Sequence, residues 1–226
     1  MNEKSGFFAF LIKKVGHYSF SHLIFTQIEA FLVWLFGSFS GIIGFILRNV
    51  MYRLLFKEIK GFAWIQPNVQ FVETGKLKVG RFFGINSGSY INAIGGITIG
   101  DYVLIGSNVT ISSGQHPIDG IDPPIFLRPV IPKEIIIEDD VWIGAGAVIM
   151  PGITLRKGTV VGACSVVTKS TEEYAVVVGA PAKKIRSRND RVILSYNLAN
   201  PVNPVNSVKK NGPTVSLTNA KSHVNS

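Results

Sequence analysis

The stretch IEDDVWIGAGAVIMPGITLRKGTVVGACSVVTKSTE, residues 137–172, divides into six units of six residues that each begin with an aliphatic side chain. The same pattern extends backwards to Ile65, with two units of eight residues that begin at Phe71 and Ile91. Thirteen of the fourteen lead positions are Ile, Leu or Val. Ordinary sandwich strands alternate with a period of two, so a period of six indicates a solenoid of short repeats.

Each unit predicts one short strand followed by a corner, with the first and fifth side chains directed into the core. A glycine often follows the lead residue, as at Gly106 and Gly144, and we interpret it as permitting the tight corner. Three units then close a triangular coil of eighteen residues, and stacked coils pair their backbone groups. The sequence therefore predicts a mainly β fold, a parallel β-helix.

The repeat is interrupted after the unit ISSGQH, which ends at His116. The interruption, residues 117–136, contains five prolines, and a long excursion from a compact fold usually has a function. Because proline restricts the backbone, we expect this loop to form a fixed wall of a binding site rather than a mobile lid. His116 is the single histidine of the repeat body, and imidazole can remove a proton from a hydroxyl near neutral pH. The alternative is a structural histidine at the root of a loop.

The first sixty residues differ in composition from the repeat. Residues 23–47 carry one charge, Glu29, and a Gly/Ser interruption at 37–41. Basic residues flank this apolar run on both sides, so their distribution selects no orientation across a bilayer. We predict that residues 1–60 form a helical element that associates with a membrane through 23–47 as a hairpin or an interfacial pair. The alternative is two soluble helices that pack on the next domain or on another subunit.

The net charge of +9 is carried entirely by the two ends of the chain. Residues 1–60 carry +4, residues 61–182 carry −2 and residues 183–226 carry +7. Residues 189–226 have no sustained apolar period, which predicts a mobile basic tail. We predict that the N-terminal positive charge contacts anionic lipid head groups and that the C-terminal positive charge contacts a polyanionic ligand. No nucleic acid partner is predicted. The lone cysteine, Cys164, is interpreted as a small buried residue and not as an acyl carrier.

The repeat, the motif SSGQHP, the loop after it and the run VWIGAGAVIMPG resemble the hexapeptide-repeat acyltransferases. Over roughly residues 61–188 the chain is most similar to galactoside and maltose O-acetyltransferases and to O-acetyltransferases of bacterial surface polysaccharides. The resemblance implies a left-handed helix, acetyl-CoA as acyl donor, no metal, and a homotrimer with CoA between neighbouring subunits. It also implies that His116 is the catalytic general base.

The same resemblance carries over further site residues. Asn86 falls where the sugar acetyltransferases place an acceptor-binding asparagine, and Trp142 falls beside the reacting centre. The residues implied to contact CoA are Gly144, Ala145, Ala163, Thr168, Lys169, Lys183 and Arg186, with Lys184 assisting. The unit INAIGGIT has Ile94 where those enzymes use an aspartate, which disfavours a galactoside-like or maltose-like acceptor. The neighbouring Asn92 is expected to form a corner.

These observations lead to one functional hypothesis with three alternatives. The hypothesis is an acetyl-CoA-dependent O-acetyltransferase of a cell-surface polysaccharide or its lipid-linked precursor, in the cytoplasm at the inner face of the membrane. The alternatives are an antibiotic or xenobiotic O-acetyltransferase, a non-catalytic membrane-bound scaffold, and a zinc carbonic anhydrase built on the same helix. The last requires three histidine ligands where the repeat body has one.

Overall fold

The computed structural model describes residue 16, residues 19–190 and the dipeptides 193–194 and 208–209. The predicted tail, 189–226, therefore lies almost wholly outside the described residues. The same is true of most of residues 1–18.

Two helices precede the repeat. Helix α1 spans Phe20–Phe36 and helix α2 spans Gly41–Leu55. Ser19 caps α1 by accepting a hydrogen bond of 3.2 Å from the backbone N–H of His22. The break between the helices falls in the Gly/Ser interruption, so the prediction of a helical element is confirmed. Among the described residues, none of the helices is both long enough and apolar enough to span a bilayer.

The repeat forms three parallel sheets, called faces A, B and C, that enclose one core. Face A consists of β1 (Glu58–Ile59), β4 (Leu77–Val79), β7 (Ile97–Ile99), β12 (Ile135–Ile137) and β15 (Thr154–Leu155). Face B consists of β2 (Ala63–Ile65), β5 (Phe83–Ile85), β8 (Leu104–Ile105), β13 (Trp142–Ile143), β16 (Val160–Val161), β18 (Ala175–Val178) and the antiparallel β19 (Lys183–Ser187). Face C consists of β3 (Gln70–Val72), β6 (Tyr90–Asn92), β9 (Thr110–Ser112), β14 (Val148–Ile149) and β17 (Val166–Val167).

Two antiparallel pairs lie outside these faces. They are β10 (Gly114–Gln115) with β11 (Ile131–Pro132), and β20 (Ile193–Leu194) with β21 (Val208–Lys209). Short 3₁₀ turns occur at Thr74–Lys76 and Ile125–Leu127.

The core confirms the predicted inward positions. All fourteen lead side chains are buried, and the most exposed of them, Phe71, is only 4% exposed. Ile143 stacks on Val161 one coil of eighteen residues later, whereas Ile85 and Ile105 are twenty residues apart because the earlier coils contain the eight-residue units. The period of six therefore reflects one buried lead side chain per face and coil.

The corner glycines have a different cause from the one predicted. At Gly106 an added Cβ would lie 2.6 Å from the backbone N of Ala145, so the glycine is required by the close approach of the next coil. The left-handed backbone occurs two residues later, at Asn108, whose φ is 56°. Asp140 occupies the same position of its unit with a φ of 57°.

The helical hairpin caps the open end of the first coil. The rings of Tyr52 and Phe56 lie 4.8 and 5.1 Å from that of Phe71, inside the common core. Glu29 is buried and accepts a hydrogen bond of 3.0 Å from the backbone N–H of Thr74, and burial raises the pKa of its carboxyl group. Arg48 donates to the carbonyl of Ile65 at 3.0 Å. Glu29, the single charge of the apolar run, is therefore bound to the solenoid.

Candidate active site

The interruption after His116 forms an arm that leaves the solenoid between faces C and A. Its base is the antiparallel pair β10–β11, with Gln115 opposite Ile131. The excursion therefore begins at residue 114, slightly before the predicted 117, because these strands already leave the parallel sheet. Its two limbs are tied together, which gives the arm a definite shape.

His116 lies on the arm directly after β10, with an exposed side chain. Its Nδ1 is 3.3 Å from the carbonyl oxygen of Arg128 on the returning limb. A carbonyl oxygen only accepts hydrogen bonds, so in this contact Nδ1 carries the proton. The neutral ring then keeps its lone pair on Nε2, which is the form that a general base requires.

Arg128 is a residue of this region that the sequence reasoning missed. It is 8% exposed, and its guanidinium donates four hydrogen bonds of 2.7–3.1 Å to backbone carbonyls of the arm. The acceptors belong to Pro117, Asp119, Gly120 and Pro123. The available signal was a single arginine within a proline-rich excursion.

A second region lies along the edge between faces B and C. The backbone N–H groups of Asn86, Gly106 and Gly144 donate in turn to lead carbonyls of the next coil at 2.8–3.0 Å. Ala145 and Ala163 follow on the same edge and are exposed. Small side chains on successive coils leave the backbone of this edge open to a long, thin ligand. We call it the B–C edge.

Trp142 lies on the outer surface of face B, next to this edge, and is 53% exposed. It is paired in register with Leu104 on one side and Val160 on the other. The coils nearer the helices expose further apolar side chains, Trp64 and Leu104 on face B and Phe62, Phe82 and Tyr102 at its edge with face A. Face B therefore presents a broad aromatic surface.

The remaining predicted donor residues lie in two other places. Thr168 and Lys169 follow β17 at the end of face C, and Lys183 and Arg186 lie on β19 beside face B; all four are exposed. Lys169 and Lys184 line a pocket of about 180 Å³ on the last coil. Lys184 pairs there with Glu172. One chain thus distributes the predicted CoA contacts over three surfaces.

Two predictions about single residues have definite outcomes. Asn92 accepts a hydrogen bond of 3.1 Å from the backbone N–H of Ile94, so it forms a corner as expected. The prediction that Cys164 is buried is wrong, because the residue is exposed with a φ of 56°. It occupies the left-handed corner position, whose side chain does not enter the core. Within residues 19–190, His, Cys, Asp and Glu form no group of three suited to a metal.

The chain matches known proteins through its repeat. Residues 134–169 match the family described as bacterial transferase hexapeptide (six repeats), and residues 82–113 match the hexapeptide repeat of succinyl-transferase. Galactoside O-acetyltransferase of Escherichia coli K12 is 35% identical over 147 residues, which cover 64% of this chain and 70% of that protein. Chloramphenicol acetyltransferase of Agrobacterium fabrum is 40% identical over 110 residues, covering 42% of this chain and 53% of that protein.

A solved structure shares the architecture. The hexapeptide-repeat acetyltransferase VCA0836 of Vibrio cholerae, complexed with acetyl coenzyme A, has a TM-score of 0.69 and 29% identity. The match covers 75% of this chain and 90% of that chain. The fold is thus a left-handed parallel β-helix of the acyltransferase type. The chain belongs to the hexapeptide-repeat acetyltransferases, the family that contains the galactoside O-acetyltransferases.

Proposed function

We propose that the protein transfers an acetyl group from acetyl-CoA to a hydroxyl of a saccharide, with His116 as general base. The observation that carries the proposal is the contact between Nδ1 of His116 and the carbonyl of Arg128, which leaves Nε2 as the basic nitrogen. The acetyl coenzyme A bound to the Vibrio cholerae structure supports the donor. The Escherichia coli relative, named for a galactoside, supports a saccharide acceptor.

The transfer occurs by direct attack. Nε2 of His116 takes the hydroxyl proton, and the acceptor oxygen bonds to the thioester carbonyl carbon. Backbone N–H groups steady the negative charge on the carbonyl oxygen. The carbon–sulfur bond then breaks, and the sulfur of CoA leaves with the proton that the imidazole had taken. No group of the protein is covalently changed at the end of the cycle.

The donor is proposed to lie along the B–C edge. Ala145 and Ala163 are exposed there on successive coils, and the pantetheine arm is long and thin. Lys183 and Arg186, beside face B, are proposed to pair with the CoA phosphates, which bind fixed cations strongly. Thr168 and Lys169 lie beyond face C and are assigned to CoA held by a neighbouring subunit.

Isothermal titration of the full-length protein with acetyl-CoA tests the donor assignment. We expect saturable binding, with one molecule bound per chain. The Lys183→Ala/Arg186→Ala variant should bind more weakly, because two cations that face phosphates are removed. A matched control, Lys57→Ala/Lys60→Ala, removes two exposed lysines at the other end of the solenoid and should bind normally. Titration without saturation would instead support the scaffold alternative.

A homotrimer is proposed because the site is divided between two edges of one chain. Asn86, Ala145 and Ala163 lie on the B–C edge, whereas His116 lies on the arm between faces C and A. The intervening face is about six residues wide, or up to about 20 Å of extended chain. In a closed ring of identical subunits, the arm of one subunit reaches the B–C edge of the next.

The exposed apolar surfaces support this assembly. The arm presents Ile118, Ile121 and Leu127, which are 77%, 99% and 56% exposed. Face B of a second copy offers the aromatic surface described above. Contact between two different surfaces is the geometry of a cyclic assembly, and burial of both would remove large apolar areas from water.

Membrane association is proposed for the outer face of the helical hairpin. On α1 the exposed apolar residues recur at helical spacing and form one stripe: Phe20, Ile24, Ile28, Phe31 and Trp34. On α2 a second stripe is formed by Ile42, Ile43, Ile46, Val50 and Leu54. The exposed Arg53 lies in the last turn of α2, and the exposed Lys57 and Lys60 follow the helix closely, where anionic head groups would meet them. A stripe of this kind fits an interfacial helix pair.

Flotation with phosphatidylglycerol–phosphatidylcholine vesicles tests the membrane proposal. The full-length protein should float with the vesicles, and the Ile28→Glu/Ile46→Glu variant should stay in the soluble fraction. Both side chains are at least half exposed, so their replacement leaves the core intact. The control Ile136→Glu/Ile185→Glu makes the same charge change away from the hairpin and should still float. Equal flotation of wild type and hairpin variant would contradict the proposal.

The acceptor is proposed to be a cell-surface polysaccharide or its lipid-linked precursor, modified in the cytoplasm at the inner face of the membrane. The hairpin stripe favours this class, since a membrane-bound acceptor and a membrane-bound enzyme share one surface. A small soluble acceptor, such as the one in the name of the Agrobacterium fabrum relative, gives the stripe no role.

A further inference from the structure

Arg128 is a buried cation that has only backbone partners in the described part of the chain. Its four hydrogen bonds all end on carbonyl oxygens, and no carboxylate within residues 19–190 forms an ion pair with it. A guanidinium satisfied by carbonyls holds backbone in place, because its donors are planar and fixed in direction. Arg128 thus determines the shape of the segment around it.

The segment that it holds begins at the residue after His116. Pro117 and Asp119 accept from one guanidinium nitrogen at 3.1 and 2.7 Å, and Gly120 accepts from another at 2.8 Å. The third nitrogen donates to Pro123 at 2.7 Å. The outgoing limb of the arm is therefore wrapped around this side chain.

The backbone of Arg128 holds the imidazole itself. Its carbonyl oxygen is the acceptor for Nδ1 of His116, and this is the hydrogen bond that selects the ring form with a free Nε2. One residue therefore anchors the chain that follows His116 through its side chain and the ring of His116 through its main chain. Loss of the guanidinium would leave four carbonyls of the outgoing limb without their donor. That limb would then no longer be held against the returning limb, which carries the carbonyl of Arg128 that accepts from Nδ1.

We propose that Arg128 is the positioning residue of the active site, which sets the orientation and tautomer of His116 by folding the arm around its guanidinium. This rests on the proposed role of His116 as general base. Arg128 does not touch the reacting atoms, and its effect reaches them through the arm. Lysine cannot replace it, because an ammonium group has three donors and no planar fork.

The test compares Arg128→Ala and Arg128→Lys with wild type in the full-length protein. Release of CoA thiol is measured with acetyl-CoA and the surrogate acceptors p-nitrophenyl β-D-galactoside, maltose and chloramphenicol. We expect kcat to fall about 10- to 100-fold in both variants, while KM for acetyl-CoA is unchanged, since a small misplacement of a catalytic group has effects of this size. The control Arg156→Ala removes an exposed arginine that pairs with Glu138 and should behave as wild type.

A spectroscopic readout separates positioning from loss of folding. With ¹⁵N-labelled histidine, wild-type His116 should show the Nδ1-protonated tautomer at alkaline pH, and both variants should show a mixture of tautomers. Thermal unfolding should change little, because the arm lies outside the solenoid. Wild-type kcat and tautomer in both variants would overturn the proposal, as would global unfolding of both. Full activity of His116→Ala would instead overturn the proposed function.

Discussion

The His116→Ala variant should lose about 10²- to 10⁴-fold in kcat, which is the usual contribution of a positioned general base. Acetyl-CoA binding should be unchanged, because the donor is assigned to the B–C edge and the imidazole lies on the arm. The physical reason is that a neutral hydroxyl attacks a thioester poorly, and Nε2 removes its proton as the bond forms. Thiol release measures kcat, and calorimetry measures donor binding.

The matched control for this variant is His22→Ala. His22 lies at the start of α1, outside the arm, and pairs with Glu73 at 3.2 Å. A pair of this kind near the surface contributes little to stability, so the control should keep wild-type kcat. A folded His116→Ala protein with wild-type transfer would refute general-base catalysis by His116.

Mixed assemblies of His116→Ala and Asn86→Ala chains should regain activity that neither variant has alone. Each chain supplies the residue that the other lacks only if His116 and Asn86 of one site come from different subunits. In every closed trimer that contains both kinds of chain, about one site in three combines an intact His116 with an intact Asn86. Activity of the mixed assemblies should therefore rise to roughly a third of the wild-type value.

Co-expression with two different affinity tags isolates the mixed assemblies for this measurement. Mixing His116→Ala chains with chains that carry both substitutions should give no recovery, since no intact His116 is then present. If both residues of one site came from a single chain, the first mixture would also stay inactive. That outcome, or a monomer in solution, would refute the proposed division of the site.

Much of the fold could be predicted from the sequence, because the aliphatic positions of the repeat are the positions that are buried in the structure. In every coil the lead side chains, such as Ile105, face the core. An aliphatic residue therefore recurs about every six residues, and the two units of eight residues do not interrupt this pattern. The arm was visible as the place where this recurrence fails. His116 was visible as the one titratable imidazole beside that break.

Other features depend on contacts between residues that are distant in the chain, and these contacts produce no periodic pattern in the sequence. Arg128 looked like an ordinary charged loop residue, and only the folded arm shows its guanidinium enclosed by carbonyls. Cys164 was expected to be a small buried residue, yet it occupies a left-handed corner and is exposed. The acid in the apolar run, Glu29, binds the first coil through Thr74, a contact spanning forty-five residues.

By itself, then, the amino-acid sequence determined the coil, its interior and the position of its one interruption, because these depend on local periodicity and on side-chain burial. Only the tertiary structure decided where the proposed site residues lie, with His116 on one edge and Asn86 on another. It also decided that the helical hairpin both closes the core and leaves an apolar stripe outside. Such placement follows from how the coils stack in space, and no stretch of sequence encodes it locally.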